Sequence, residues 1–268
     1  MTKQDELNTI FKRIAGEHGK LTTKQIEFAI REIGRIRGDI ADMLADYAGA
    51  DGTIKRSRLM RLLRELETVE QYLRQYGTDA LNGIIEESAD IAIEQVRIAF
   101  HKVLSESLDT VSLNQNVIDY VATRFGDDGL VLSDRIWSTS GVIRDAIATQ
   151  LRSDIIKGES VGTMVRNVRK VYDNQTWMIK RLVVTESNTA YRTASCMSVE
   201  RSEIADWVRI VEQGSRHPRH KEHACYKFAH EDRYGMGNGI FKPTDSEIYS
   251  PHPQCSSYIV PVLNPEYL

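Results

Sequence analysis

The chain has 268 residues, 41% apolar and 27% charged, with a formal net charge of −3. That length allows one large domain or two smaller ones, and the composition is that of a soluble globular protein. No apolar run approaches the roughly 20 residues of a bilayer-spanning helix and the first six residues are not leader-like, so synthesis in the cytoplasm is expected; the acidic balance argues against bulk attraction to nucleic acid but leaves room for a local basic patch.

Residues 1–216 contain no proline, whereas all six prolines and five of the seven histidines lie in residues 217–265. Proline lacks an N–H and clashes with the preceding helical turn, so this asymmetry predicts a helical body followed by a compact, loop-rich tail. In the body, Ile26, Ile30, Ile33, Ile36, Ile40, Leu44 and Tyr47 share one helical stripe. Thr22 or Thr23 is the expected cap at its start, and Gly49 and Gly52 mark its end. A second stripe carries Leu59, Leu62, Leu63, Leu66, Val69 and Leu73 and is expected to stop near Gly77. Arg56, Arg58, Arg61 and Arg64 are interleaved with it. A third helix is expected from Thr78 or Asp79 through Ala99, and a fourth apolar run spans residues 117–125 before a Gly-Asp-Asp-Gly turn at 126–129. These stripes suit a bundle core or a partner-binding face.

After Gly129 shorter helices are expected. One is capped at residues 138–140 and ends at Gly158, one starts at Ser160, and one follows a turn at Asp173-Asn174. Strand chemistry appears at residues 207–211 and 258–262, which would pair as a small sheet. Three cysteines do not make a disulfide framework, and Cys196 reads as a small core residue.

The tail carries His223-x-Cys225 and His252-x-x-Cys255. Imidazole and thiolate are the ligands of tetrahedral zinc, and two short clusters split by a loop are the usual sequence form of such a site. His217, His220 and His230 are further imidazoles. The alternative is that the histidines bond loop carbonyls while the cysteines pack as small apolar groups. Gly235, Gly237 and Gly239 lie between the clusters and lead into Ile240-Phe241-Lys242-Pro243 rather than a helix. They therefore predict an irregular turn, not a dinucleotide-binding loop.

Several pieces, in order, resemble the minor head or head-morphogenesis proteins of tailed bacteriophages (the Mu F-like family). They are Trp137 and the helices that follow it; Arg181 through Thr185-Glu186-Ser187 with Ala190 and Arg192; Trp207; His217-Pro218 and Ala224-Cys225; the 234–241 glycine segment; and Pro251-His252-Pro253-Gln254-Cys255. The resemblance covers residues 137–262, about half the chain. It departs from the family pattern at Glu222-His223-Ala224-Cys225 and at Ser257, each of which removes a thiolate that a metal would favour.

The residues and the resemblance together predict a mainly α protein. Residues 1–130 would form an elongated helical region, and residues 131–268 a small α+β domain with a minimal antiparallel sheet and a long His/Pro/Gly loop. The resemblance implies a low-copy, non-enzymatic virion component in the host cytoplasm during assembly and then in the head. The protein would meet the portal at the packaging vertex, with capsid or scaffold protein and packaged DNA as further partners. Ile33, Ile40, Leu62, Leu66 and Leu73 are the expected portal-docking anchors, and Arg56, Arg58, Arg61 and Arg64 would form a solvated helix face or else face packaged DNA. Trp137, Arg181, Thr185, Glu186, Trp207 and the three tail glycines would be structural, with Glu186 paired to Arg181 or Arg192. Two rival classes are a metal-dependent nuclease built on His220, Glu222 and His223, and a DNA-binding accessory protein.

Overall fold

The computed structural model describes residues 2–214 and 218–268; His217 lies outside the described residues. Seven α-helices and three strands follow in chain order: α1 Lys3–Ile33, α2 Ile36–Tyr47, α3 Leu59–Leu104, α4 Leu113–Thr123, α5 Leu132–Lys157, α6 Val161–Glu200, β1 Trp207–Val211, α7 Ala224–His230, β2 Ile240–Phe241 and β3 Tyr258–Val262. The architecture is mainly α with a small C-terminal antiparallel sheet, as expected. The sheet has three strands rather than two, in the order β2-β1-β3.

Four breaks expected from the sequence are not made; one is the cap at residues 138–140, which lie inside α5. At Thr22 and Thr23 the hydroxyls donate back to the carbonyls of His18 and Gly19, at 3.0 and 3.1 Å. Such i−4 bonding lets threonine sit inside a helix, and α1 begins nineteen positions earlier, at Lys3. Gly77 does not end α3 either. A Cβ there would stand 3.2 Å from Ile136 Cγ2, so the glycine serves close helix packing. At residues 173–174 α6 runs on: Asp173 accepts from Arg37 at 3.3 Å, and Tyr172 donates to the Ile30 carbonyl at 2.7 Å. The helix end at Gly158 is as read. Its φ of +74° closes α5, with N–H groups at 158 and 159 reaching the carbonyls of Ile155 and Asp154.

The chain forms two compact units that do not follow the expected lengthwise division at residue 130. One comprises residues 1–25, 82–129 and 183–268, the other residues 26–81 and 130–182. The unexpected continuity of α1, α3 and α6 is the physical reason, since each contributes residues to both units. In the first unit the start of α1 is tied to the sheet: Gln4 Nε2 donates to the Pro261 carbonyl at 3.0 Å and Gln4 Oε1 accepts from Leu263 N–H at 2.9 Å.

The second unit buries both expected docking stripes. Ile40, Leu62 and Leu66 are fully buried, and Ile33 and Leu73 are buried with them. Removing each from water is worth roughly 1.5–3 kcal/mol. These five residues are core, and their expected role as portal anchors is corrected accordingly. The arginines expected to face DNA are engaged locally. Arg56 donates to the Ile156 carbonyl at 2.5 Å and Arg58 to the Tyr47 carbonyl at 2.9 Å. Arg61 lies 3.6 Å from Glu65, and Arg64 donates to the Met60 carbonyl at 3.3 Å.

In the sheet, β1 buries Val208 and Ile210 and exposes Arg209, the alternation of a half-covered strand. Arg209 pairs with Val260 on one side and Ile240 on the other. Strand β2 escaped the sequence reading because it is only two residues long. It is aligned by Gly239, whose φ is +76° and whose missing Cβ would lie 3.0 Å from the Ile210 carbonyl and 3.1 Å from that of Ala229. Gly235 and Gly237 also have positive φ, so the segment is the irregular turn its sequence predicts.

Candidate metal centre

The candidate centre lies within the first unit, where α7 and the 250–256 loop meet. His223 stands at the N-cap of α7, with φ −65° and ψ 142° in extended geometry, and Cys225 occupies its first turn. Pro251 and Pro253 fix φ on either side of His252. The ligand atoms of His223, Cys225 and His252 all lie within 4.8 Å of one another, so this His-Cys-His cluster could hold a metal ion. Cys225 Sγ is 3.0 Å from His252 Nε2, and the His223 and His252 rings are 4.7 Å apart. The opposite edge of His252 is fixed, with Nδ1 2.9 Å from the Pro253 carbonyl. A carbonyl only accepts, so Nδ1 carries the hydrogen and Nε2 presents its lone pair, the arrangement seen in metal-binding histidines.

Cys255, the fourth expected ligand, touches Cys225 and His252 but lies outside the cluster of three. Its thiol is hydrogen-bonded to that of Cys225, which holds Cys255 well below the usual thiol range, and the Arg192 cation and His252 act in the same direction. The same bond, with burial, pushes Cys225 up. Burial would lower His252, but hydrogen bonding and attraction to Cys255 and the bond to Pro253 raise it. Ser257 takes the position where a further thiolate would be favoured, and its Oγ lies 3.0 Å from Cys255 Sγ.

The donor set fits zinc, with soft sulfur, imidazole nitrogen and a carbonyl that holds the far edge of the His252 ring. Zn–N and Zn–S bonds of about 2.0–2.3 Å give tetrahedral edges of roughly 3.3–3.8 Å. The widest pair would draw in by about an ångström. All three cysteines are free and buried.

The loop is held from beneath by α6. Arg192 is 1% exposed; its Nε donates to the Tyr249 carbonyl at 2.8 Å, and its Nη1 to those of Cys255 and Ser257 at 3.0 and 3.1 Å. One guanidinium fork thus sets three loop carbonyls, which a lysine could not do. Thr185 Oγ1 accepts from Gln254 N–H at 3.1 Å, fixing a residue whose φ of +58° is rare for a non-glycine. Glu186 accepts from Arg124 Nη2 at 2.8 Å, with both side chains buried. Arg124 was not named from the sequence, and Arg192 is committed to loop carbonyls.

Neither His220 nor His230 joins the group of three, although the His220 ring stands edge-on to His223 at 5.9 Å. His220 Nε2 meets Glu212 at 3.0 Å, and His230 stacks on Tyr226 at 4.1 Å. Glu222 and His220 lie on a 3-10 turn and His223 on a helix cap, not on the ββα hairpin that the nuclease reading calls for. Trp207 packs against Tyr234 at 5.1 Å. Trp137 is half-exposed under the Arg74 guanidinium at 4.5 Å, and so is less buried than its expected structural role implied. Arg181 lies on the exposed side of α6.

A buried polar network in the same unit left no motif in the sequence. Ser187 Oγ donates to Gln25 Oε1 at 2.8 Å and lies 3.1 Å from Ser88 Oγ and 3.4 Å from His18 Nε2. Gln25 Nε2 in turn donates to Glu87 at 2.8 Å. His18 stacks on Tyr191 at 4.2 Å; burial, aided by the Arg192 charge, lowers its pKa to about 3. Ser187 and His18 are sealed from solvent, so their proximity is structural. No family model, curated protein or solved structure matches the chain.

Proposed function

We propose that this protein is a structural minor head protein of a tailed bacteriophage, low in copy, bound at the portal vertex and acting in head assembly, DNA packaging or genome delivery. The reading rests on the ordered run of residues that resembles the Mu F-like proteins. It is supported by one observation: the central residues of that run act on each other. Thr185 and Arg192 bond the backbone of the 249–257 segment. Residues that hold a fold behave this way, whereas catalytic residues need access to a substrate. No helix among the described residues is long and apolar enough to cross a membrane.

We further propose that the centre is a structural zinc site, with His223, Cys225, His252 and Cys255 as ligands. Zinc supplies folding energy at such a site. The chain's own residues set the imidazole tautomer through Pro253 and the loop path through Arg192. The test of the head reading is a pull-down of tagged full-length protein from phage-producing cells, analysed by mass spectrometry. Recovery of portal or capsid subunits supports it; their absence sinks it. Chelator-sensitive DNA cleavage that disappears in His223→Ala would put the nuclease reading in its place.

A further inference from the structure

We infer that the second unit carries a phosphate-binding site at the joint between α1 and α2. A cavity of about 440 Å³ there is lined by Arg31, Gly34, Arg35, Arg37, Gly38 and Arg169. Four of its six lining residues are arginines and none is acidic. Two carboxylates pair with these guanidinium groups: Glu32 lies 3.4 Å from Arg31 and 3.7 Å from Arg35, and Asp173 lies 3.3 Å from Arg37. Even with Asp39, which accepts from the Tyr76 hydroxyl at 3.1 Å, the four guanidinium groups outnumber the carboxylates. The Arg169 side chain makes no hydrogen bond or ion pair among the described residues and is exposed.

Three of the four guanidinium groups are laid on aromatic rings: Arg31 on Phe28 at 5.5 Å, Arg35 on Tyr76 at 4.8 Å and Arg37 on Tyr172 at 5.0 Å. Arg37 Nε also donates to the Gly34 carbonyl at 3.0 Å. Stacking fixes the plane of a guanidinium while leaving N–H edges for a ligand, so less freedom is lost on binding. A fixed fork of N–H donors matches phosphate oxygens bidentately. Gly34 is part of the device: a Cβ there would stand 2.6 Å from the Ile30 carbonyl and 3.0 Å from Arg37 Nη2. The cavity is therefore built from positive charge, planar donors and side-chain-free backbone, which is the chemistry of a phosphate site. The phosphates could belong to a nucleic-acid backbone or to a small polyphosphate.

The experiment uses full-length protein with two probes, a fluorescent DNA duplex of about 20 base pairs followed by anisotropy against salt, and inorganic tripolyphosphate followed by calorimetry. Four phosphate contacts give a slope of log K against log salt of about −3.6; Arg169→Gln lowers it to about −2.7 and weakens binding about eightfold near 0.1 M salt. Arg64→Gln, outside the cavity, leaves both values unchanged. That result assigns the site to a phosphodiester backbone. Tripolyphosphate binding that Arg169→Gln weakens at least about fivefold, with no duplex binding, assigns it to a small phosphate ligand. Binding of neither probe, or wild-type binding by both Arg169→Gln and Arg31→Gln, overturns the site. Arg169 is exposed and unbonded, so its replacement leaves the fold intact. None of these outcomes depends on the head-protein reading.

Discussion

Replacing His18 by Gln should make the protein less sensitive to acid. The imidazole is 3% exposed, and its pKa is lowered to about 3 by burial and then by the Arg192 charge. The unfolded chain takes up this proton near pH 6.5, so the depressed folded value contributes stability that is fully present above that pH. It is lost as pH falls toward the folded value. Between about pH 7.5 and pH 5.0 the loss from this one group is about 2 kcal/mol, and the slope approaches about 1.4 kcal/mol per pH unit. Glutamine keeps a polar end for Ser187 but carries no titrating proton. Its lost stacking on Tyr191 lowers stability by a pH-independent amount. Urea unfolding of both proteins at the two pH values gives the double difference, in which the other titrating groups cancel. The wild type should lose about 2 kcal/mol more than the variant. Equal losses would refute the argument, because His18 would then titrate in the folded state as it does unfolded.

Removing one partner of the Arg124–Glu186 pair, as in Glu186→Ala, should cost about 3–5 kcal/mol and be seen as a large fall in the urea midpoint, because it strands a buried charge. Arg192→Lys should destabilise by about 2–4 kcal/mol, since at least two loop carbonyls lose their donors; the loop should then become sensitive to limited proteolysis. Purified protein should contain about one zinc per chain by mass spectrometry of the metal, and chelation should lower the melting temperature, while Cys255→Ser should lower the zinc content. Gly34→Ala should destabilise, because its Cβ meets a backbone carbonyl at 2.6 Å; wild-type melting would show that the joint can open.

The parts of the fold legible in the sequence were those written as local periodicity. The stripes through Ile36–Leu44 and Leu62–Leu73, the strands at Trp207 and Tyr258 and the αL stop at Gly158 each announce themselves within about one or two turns. Breakers were less reliable because their meaning is tertiary. Gly77 reads as a stop, yet its missing side chain is filled by Ile136; Thr22 reads as a cap, yet its hydroxyl bonds His18 within the helix. All four ligand candidates could be found because histidine and cysteine are rare and clustered, and three of them converge. The supports could not. Arg124 meets Glu186 across 62 positions, Arg192 meets the loop across 57 to 65, and Ser187 meets Gln25 across 162. No spacing rule operates at such separations.

The interleaving of the two units has a consequence for biosynthesis. A ribosome releases residues 26–182 with every segment of the second unit already made, whereas the first unit waits for residues 183–268 to return to residues 1–25 and 82–129. Its closure includes the Gln4 bonds to Pro261 and Leu263, across more than 250 positions. Such distant contacts are slow to form. During that interval the incomplete first unit is the part a nascent-chain chaperone would shelter. A fragment ending at residue 130 would leave neither unit complete.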